Sequence, residues 1–90
     1  MKIFLSGSIT SDNNYKEKFK EKRKLFKAQR MEVFDPSTLP PNLAYTTYIK
    51  LCLAELITCD FICYVNDVTT CKGSFIERIV ALACGIEEIM

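Results

Sequence analysis

Residues Cys59 to Gly85 read CDFICYVNDVTTCKGSFIERIVALACG, and this stretch decides the fold. A short apolar run, Phe61 to Val65, predicts a buried strand. A polar loop from Asn66 to Lys72 stops it. Gly73 then opens a segment that is apolar on nearly every side: Phe75, Ile76, Ile79, Val80, Ala81, Leu82, Ala83 and Cys84. That pattern predicts a helix over 73–84, with the carboxylate of Glu77 in its first turn. A strand, a polar loop and an apolar helix in that order form half of a βαβ unit. The loop at its centre lies at the carboxyl end of a strand, where open α/β sheets bind small ligands. A charge on so apolar a helix is costly unless paired, which makes Glu77 the leading candidate for a functional group.

Working outward, the same alternation covers the chain. Lys2 to Ser6 (KIFLS) fits a buried parallel strand. Gly7, Ser8 and the SDNN stretch make a loop in which Asp12, Asn13 or Asn14 can cap the next helix. A helix is expected over about 14–29, with Tyr15, Phe19, Leu25, Phe26 and Ala28 as its apolar stripe. MEVFD (31–35) predicts a second strand ended by Pro36, followed by the proline-rich loop PSTLPPNLA. A second helix is expected over about 45–58 and a last strand over 86–89. The order βαβαβαβ implies a minimal Rossmann-like or flavodoxin-like three-layer sandwich. Its four-stranded sheet would be parallel, with the first strand between the second and third. Ninety residues make one domain, 1–90, with no linker or repeat.

Composition narrows the chemistry. The chain has no histidine, so acid–base work would fall to carboxylates, tyrosines, cysteines or lysines. The five cysteines form no CxxC pair and read as buried reduced thiols, so no metal site is expected. Neither GxGxxG nor GxxxxGK[ST] occurs, ninety residues are short for a flavin, and no cofactor is expected. No run is long enough for a membrane span or a signal-peptide core, which predicts a cytoplasmic protein without membrane contact. Residues 15–30 hold eight Lys/Arg against Glu17 and Glu21. Such a helix attracts polyanions or simply solvates its face. Without interleaved aromatics the solvated face is preferred, and no nucleic-acid polymer is expected as partner.

The second and third helices are apolar over more than one face. Tyr45, Tyr48, Ile49, Leu51, Cys52, Leu53, Leu56 and Ile57 crowd the second. A homodimer or higher homo-oligomer through these two helices is the simplest way to cover them.

Five segments carry a resemblance: MKIFLSGSIT at the start, FDP after the second strand, Tyr48, LITCDFICYV, and KGSFIERIVALACG. Together, in this order and spacing, they resemble the nucleoside 2-deoxyribosyltransferase-like superfamily over nearly the full length. The branch they resemble most is the short, often phage-borne DUF4406 type, for which the host cytoplasm would be the compartment. The resemblance implies a small Rossmann-like sandwich, often dimeric, with a pocket at the carboxyl end of the sheet. It implies that the Glu of a G-x-x-x-E turn, here Gly73 to Glu77, attacks C1′ of a deoxyribose. It also implies an Asp on the preceding helix, eight residues before the strand-leading Asp60, that helps protonate the base. That position is Cys52, and a thiol is a weak acid and a weak donor.

Two functional expectations follow, beside a third, a purely structural or interaction module that uses the apolar helices. One is a binder of a nucleoside, nucleotide or nucleotide-derived signal, with sequestration of that signal as its extension. The other is a deoxyribosyltransferase or N-glycoside hydrolase with Glu77 as nucleophile and Tyr48 or a water replacing the missing acid. Candidate ligand-binding residues are Gly7, Ser8, Ile9, Asp35, Cys52, Asn66, Cys71, Gly73, Ser74 and Glu77. Each has a plainer alternative. Gly7–Ser8 can be a tight turn, Asp35 a turn-forming Asp-Pro rather than a ribose acceptor, and the 66–74 hydroxyls ordinary caps. Tyr48 can pack in a core or dimer interface. Glu77 itself reads as nucleophile, as ribose clamp, or as a charge favouring a helix N-terminus.

Overall fold

A computed structural model describes residues 1–7, 14–40, 42–65 and 72–89, with 72–74 as backbone only. The strands are β1 (Lys2–Ser6), β2 (Glu32–Phe34), β3 (Phe61–Tyr64) and β4 (Glu87–Glu88). The helices are α1 (Tyr15–Ala28), α2 (Tyr45–Leu56) and α3 (Lys72–Ala83). The sheet is parallel throughout, in the order β2-β1-β3-β4. This is the predicted minimal Rossmann-like or flavodoxin-like sandwich, with β1 between β2 and β3.

Side-chain alternation along β1 separates two cores. Ile3 and Leu5 point to one side, where they meet Phe19 and Phe26 of α1 and Cys63 of β3. Phe4 points to the other and packs with Cys52 and Leu56 of α2, Ala81 of α3, and Ile62. Helix α1 therefore covers one face alone, and α2 and α3 share the other. Its seat on the sheet is Phe19 and Phe26, seven residues apart and hence nearly superimposed on a 3.6-residue helix. Leu25 and Ala28, expected on the same stripe, are exposed, because each lies roughly a third of a turn or more from that line.

Several boundaries differ from expectation for identifiable reasons. Strand β2 stops at Phe34 because Asp35 leaves the ladder to cap a short 3-10 helix, Pro36–Thr38, within the segment predicted as loop. Helix α3 starts at Lys72, so Glu77 stands in the second turn and not the first. The reading of Glu77 as a helix N-terminal charge weakens accordingly, since that effect fades beyond the first turn. Both α1 and α3 close with paired reverse bonds. Met31 N–H donates to Phe26 O and Arg30 N–H to Lys27 O; Ile86 N–H donates to Ala81 O and Gly85 N–H to Leu82 O. The left-handed residue that this closure needs is Gly85 (φ 69°) after α3 but Arg30 (φ 62°) after α1.

At the amino end of the sheet, Lys2 is fixed from two sides. Its Nζ donates to Glu55 Oε2 at 2.6 Å and to Thr58 Oγ1 at 2.9 Å, and its backbone N–H donates to Asp60 Oδ2 at 2.9 Å. Asp60 thus serves as a strand-start acceptor. Among the described residues, no helix is long and apolar enough to cross a membrane.

Candidate functional site

The crossover direction reverses between β1 and β3: the chain leaves β1 toward β2 over one face and returns to β3 over the other. This is the switch point at which open α/β sheets leave a crevice. The last residues of the two strands, Ser6 and Tyr64, are register partners there. Ser6 follows Phe4 by two residues, so its side chain emerges on the α2–α3 face. It is fully buried.

Glu77 meets it from above. Lys72 to Ala83 turns its Glu77–Ala81 side toward the sheet, and both of these residues are buried. The Glu77 carboxyl is 4 % exposed, and Ser6 Oγ donates to its Oε1 at 2.7 Å. Burial pushes the Glu77 pKa from 4.5 up to about 7, against the Ser6 hydrogen bond, which pulls it down. Near neutral pH the group is therefore divided between acid and carboxylate. The neutral form both donates and accepts, whereas the ion only accepts.

Cys52 of α2 is buried in the same core as Phe4 and Ala81. Its thiol is pushed up to about 12, first by burial and then by the nearby Glu77 charge, while a hydrogen bond with Tyr48 opposes the shift. The Glu77 charge and the Tyr48 side chain thus both act on the Cys52 thiol. Tyr64 borders this core. Its hydroxyl is buried and has no hydrogen-bond partner among the described residues. Glu88 stands near enough to perturb it but not in hydrogen-bonding geometry. Burial, then the Glu88 charge, raises its pKa to about 12; Arg78 opposes and Glu77 adds slightly.

Asp35 occupies a different setting, at the end of β2. Its Oδ1 accepts from Ser37 N–H at 2.9 Å and Ser37 Oγ at 2.6 Å, and its Oδ2 accepts from Arg23 Nη1 at 2.9 Å. Both oxygens are engaged in capping and in an ion pair that ties α1 to the end of β2. This matches the turn-forming alternative for Asp-Pro. Gly7 follows β1 and is half-buried. Gly73 lies in the first turn of α3, as does Ser74, whose side chain is not described. Ser8, Ile9, Asn66 and Cys71 lie outside the described residues.

Two contributors escaped the sequence reading, Ser6 and Tyr64. The signal for Ser6 was present. It is the one polar residue in the apolar first strand after Lys2, and the period of two places it on the face of Phe4.

Ligand crevices at a switch point between parallel strands define a class of small-molecule-binding α/β domains. The chain belongs to the family described as Domain of unknown function (DUF4406), whose model matches residues 1–90. Comparison with curated proteins and with solved structures gave no match.

Proposed function

We propose that this chain binds a nucleoside, a nucleotide or a nucleotide-derived signal at the carboxyl end of β1 and β3, and holds it without turning it over. The observation that carries the reading is the buried Glu77 carboxyl, hydrogen-bonded to Ser6 at the sheet's switch point. A carboxyl divided between its two protonation states suits sugar hydroxyls, which both donate and accept. The likeness to the nucleoside 2-deoxyribosyltransferase-like superfamily supplies the ligand class. Cys52 argues for binding over turnover. It holds the place where that likeness calls for an acid, and a buried thiol with a pKa of about 12 gives up no proton to a departing base.

The enzymatic alternative is favoured by one observation. Gly73 and Glu77 keep the G-x-x-x-E spacing, and a carboxyl of pKa about 7 is well poised for acid–base or nucleophilic work. One experiment separates the two. The protein is incubated with deoxynucleosides, ribonucleosides and their mono- and diphosphates, while free base is followed by chromatography and melting temperature by calorimetry. A ligand-dependent rise in melting temperature without free base, weakened at least tenfold in affinity by Glu77→Gln, is the expected result. Free base that vanishes in Glu77→Gln would establish the enzyme instead. No shift and no base across the panel would overturn both readings.

A further inference from the structure

The hydroxyl of Tyr64 has no task in the fold itself. Its oxygen is buried and has no hydrogen-bond partner among the described residues, while the residue packs against the core of Phe4, Ile62 and Ala81. A phenylalanine would pack the same ring without burying a donor, and an unmet buried donor is destabilising. The place of the hydroxyl is specific. Tyr64 ends β3 as the register partner of Ser6, which ends β1, and both side chains stand on the α2–α3 side of the sheet. Neighbouring strands lie about 4.8 Å apart. The Ser6–Glu77 pair and Tyr64 thus belong to adjoining strand ends, close enough for the sugar and base of a single nucleoside to address both. We infer that Tyr64 is a ligand-binding residue of the Glu77 site, and that its hydroxyl donates a hydrogen bond to an uncharged acceptor on the base, a carbonyl oxygen or a ring nitrogen. The inference rests on the binding proposed above, in which Glu77 and Ser6 take the sugar.

The charges around the hydroxyl select base over phosphate. Glu88 is the register partner of Ile62, so it shares the Tyr64 side of the sheet by the period of two. Its carboxylate is held by Arg78 Nε at 3.6 Å and not by the phenol. The charged groups that act on Tyr64 are Glu88, Arg78 and Glu77, two carboxyls against one guanidinium that is already paired. A phosphate there would meet more carboxyl than cation, and like charges at such range repel. A neutral acceptor meets no such cost. The phenol, pushed up to about 12 chiefly by burial, keeps its proton at neutral pH and so stands ready as a donor.

Tyr64→Phe removes the oxygen and leaves the ring. Two measurements on it, side by side with the parent, test the inference: thermal unfolding of the free proteins, and titration calorimetry with deoxynucleosides, ribonucleosides and their 5′-monophosphates. The variant is expected to melt at or above the parent's temperature, since it sheds an unmet buried donor. Its affinity for each nucleoside that the parent binds is expected to fall at least tenfold, by the same factor with and without the phosphate. A lower melting temperature would overturn the inference, because the hydroxyl would then already be bonded in the free protein, as by a turn toward Glu88. Unchanged affinity in Tyr64→Phe, with Glu77→Gln still weakening the same probe, would overturn it and leave the Glu77 site standing. A loss confined to the monophosphates would overturn the uncharged acceptor and assign Tyr64 to the phosphate. Binding of none of these probes by the parent would overturn the binding reading, and this inference with it.

Discussion

Ser6 Oγ lies 2.7 Å from Glu77 Oε1, a contact that joins the end of the first strand to the last helix across 71 positions of sequence. It is a buried polar bond at the carboxyl end of β1, on the α2–α3 face of the sheet. Removing it by Ser6→Ala leaves a buried carboxyl without its donor. A loss of about 1–2 kcal/mol is expected in denaturant unfolding. Because the Ser6 bond pulls the Glu77 pKa down, the variant should titrate Glu77 above its present value of about 7, as read by carbon NMR of the carboxyl. A variant as stable as its parent, with an unmoved titration, would show that the bond does not hold in solution.

The burial of Glu77 has a definite consequence for pH. The folded pKa is raised from 4.5 to about 7, so the neutral acid is the form the fold tolerates. The associated stability is fully present below pH 4.5 and is lost as the pH climbs through 7. The difference across that window is about 3 kcal/mol from this group. Glu77→Gln keeps the shape and removes the titration. The variant should be the more stable protein at pH 8, with the gap closing toward pH 4. Thermal unfolding at a series of pH values, parent against variant, measures it. A constant difference across the series would contradict the assignment.

Arg30 adopts φ 62° to close α1, a conformation that glycine tolerates and most side chains resist. Gly85 serves the same purpose after α3, with the same pair of reverse hydrogen bonds. Arg30→Gly relieves the strain, partly offset by the greater freedom of glycine in the unfolded chain. A net stabilisation of about 0.5–1 kcal/mol is expected. Gly85→Ala should cost about 1 kcal/mol for the converse reason. Opposite signs from two substitutions in equivalent positions make the pair informative.

The fold was legible because its strands are short apolar runs and its helices are punctuated by polar loops. KIFLS coincides with β1 residue for residue, and the place of β1 between β2 and β3 follows from right-handed crossovers once helices cover both faces of the sheet. The 3-10 helix at Pro36–Thr38 was not legible, because its cause is Asp35 turning to Ser37 and Arg23 rather than any periodicity. At the site, Glu77 was legible as a lone carboxylate on an apolar helix. Its partner was not, since Ser6 is an ordinary strand residue until the crossover brings α3 over it. The second-turn position of Glu77 was missed for a local reason. Counted from Gly73, Glu77 is already the fifth residue, just past one turn of 3.6 residues, and the start at Lys72 makes it the sixth.

The cysteines should divide sharply in reactivity. Burial pushes Cys59 up to about 11 and Cys63 upward as well, and it brings Cys52 to about 12, so at pH 8 almost none of the three is thiolate. Cys84 is free and exposed. Among the described cysteines, iodoacetamide at pH 8, followed by peptide mass mapping, should alkylate Cys84 first. Cys52, Cys59 and Cys63 should lag by on the order of 100-fold or more until the fold is opened with denaturant. Early labelling of Cys52 would mean that the core beside Glu77 opens readily, and would weaken the case for a dry carboxyl there.

Cys52→Asp puts the two functional readings in direct competition. It places a second carboxyl in the neighbourhood of Glu77, within the same buried core. Two like charges there cannot both ionise cheaply, so the pair should share a proton, with one member titrating well above the ordinary range. Such a protein should be about 2–4 kcal/mol less stable at pH 8 than at pH 5, because the raised carboxyl must lose its proton in that interval. The protonated member is also a real acid, next to Tyr48, where a thiol of pKa about 12 is none. If the parent binds without turnover because it lacks that acid, the variant should release base from a bound deoxynucleoside near pH 5 to 6, and the parent should not. Base release by the parent would make Cys52 irrelevant to the chemistry. A variant that binds as tightly as its parent yet releases nothing would confine the superfamily likeness to the ligand and remove it from the reaction.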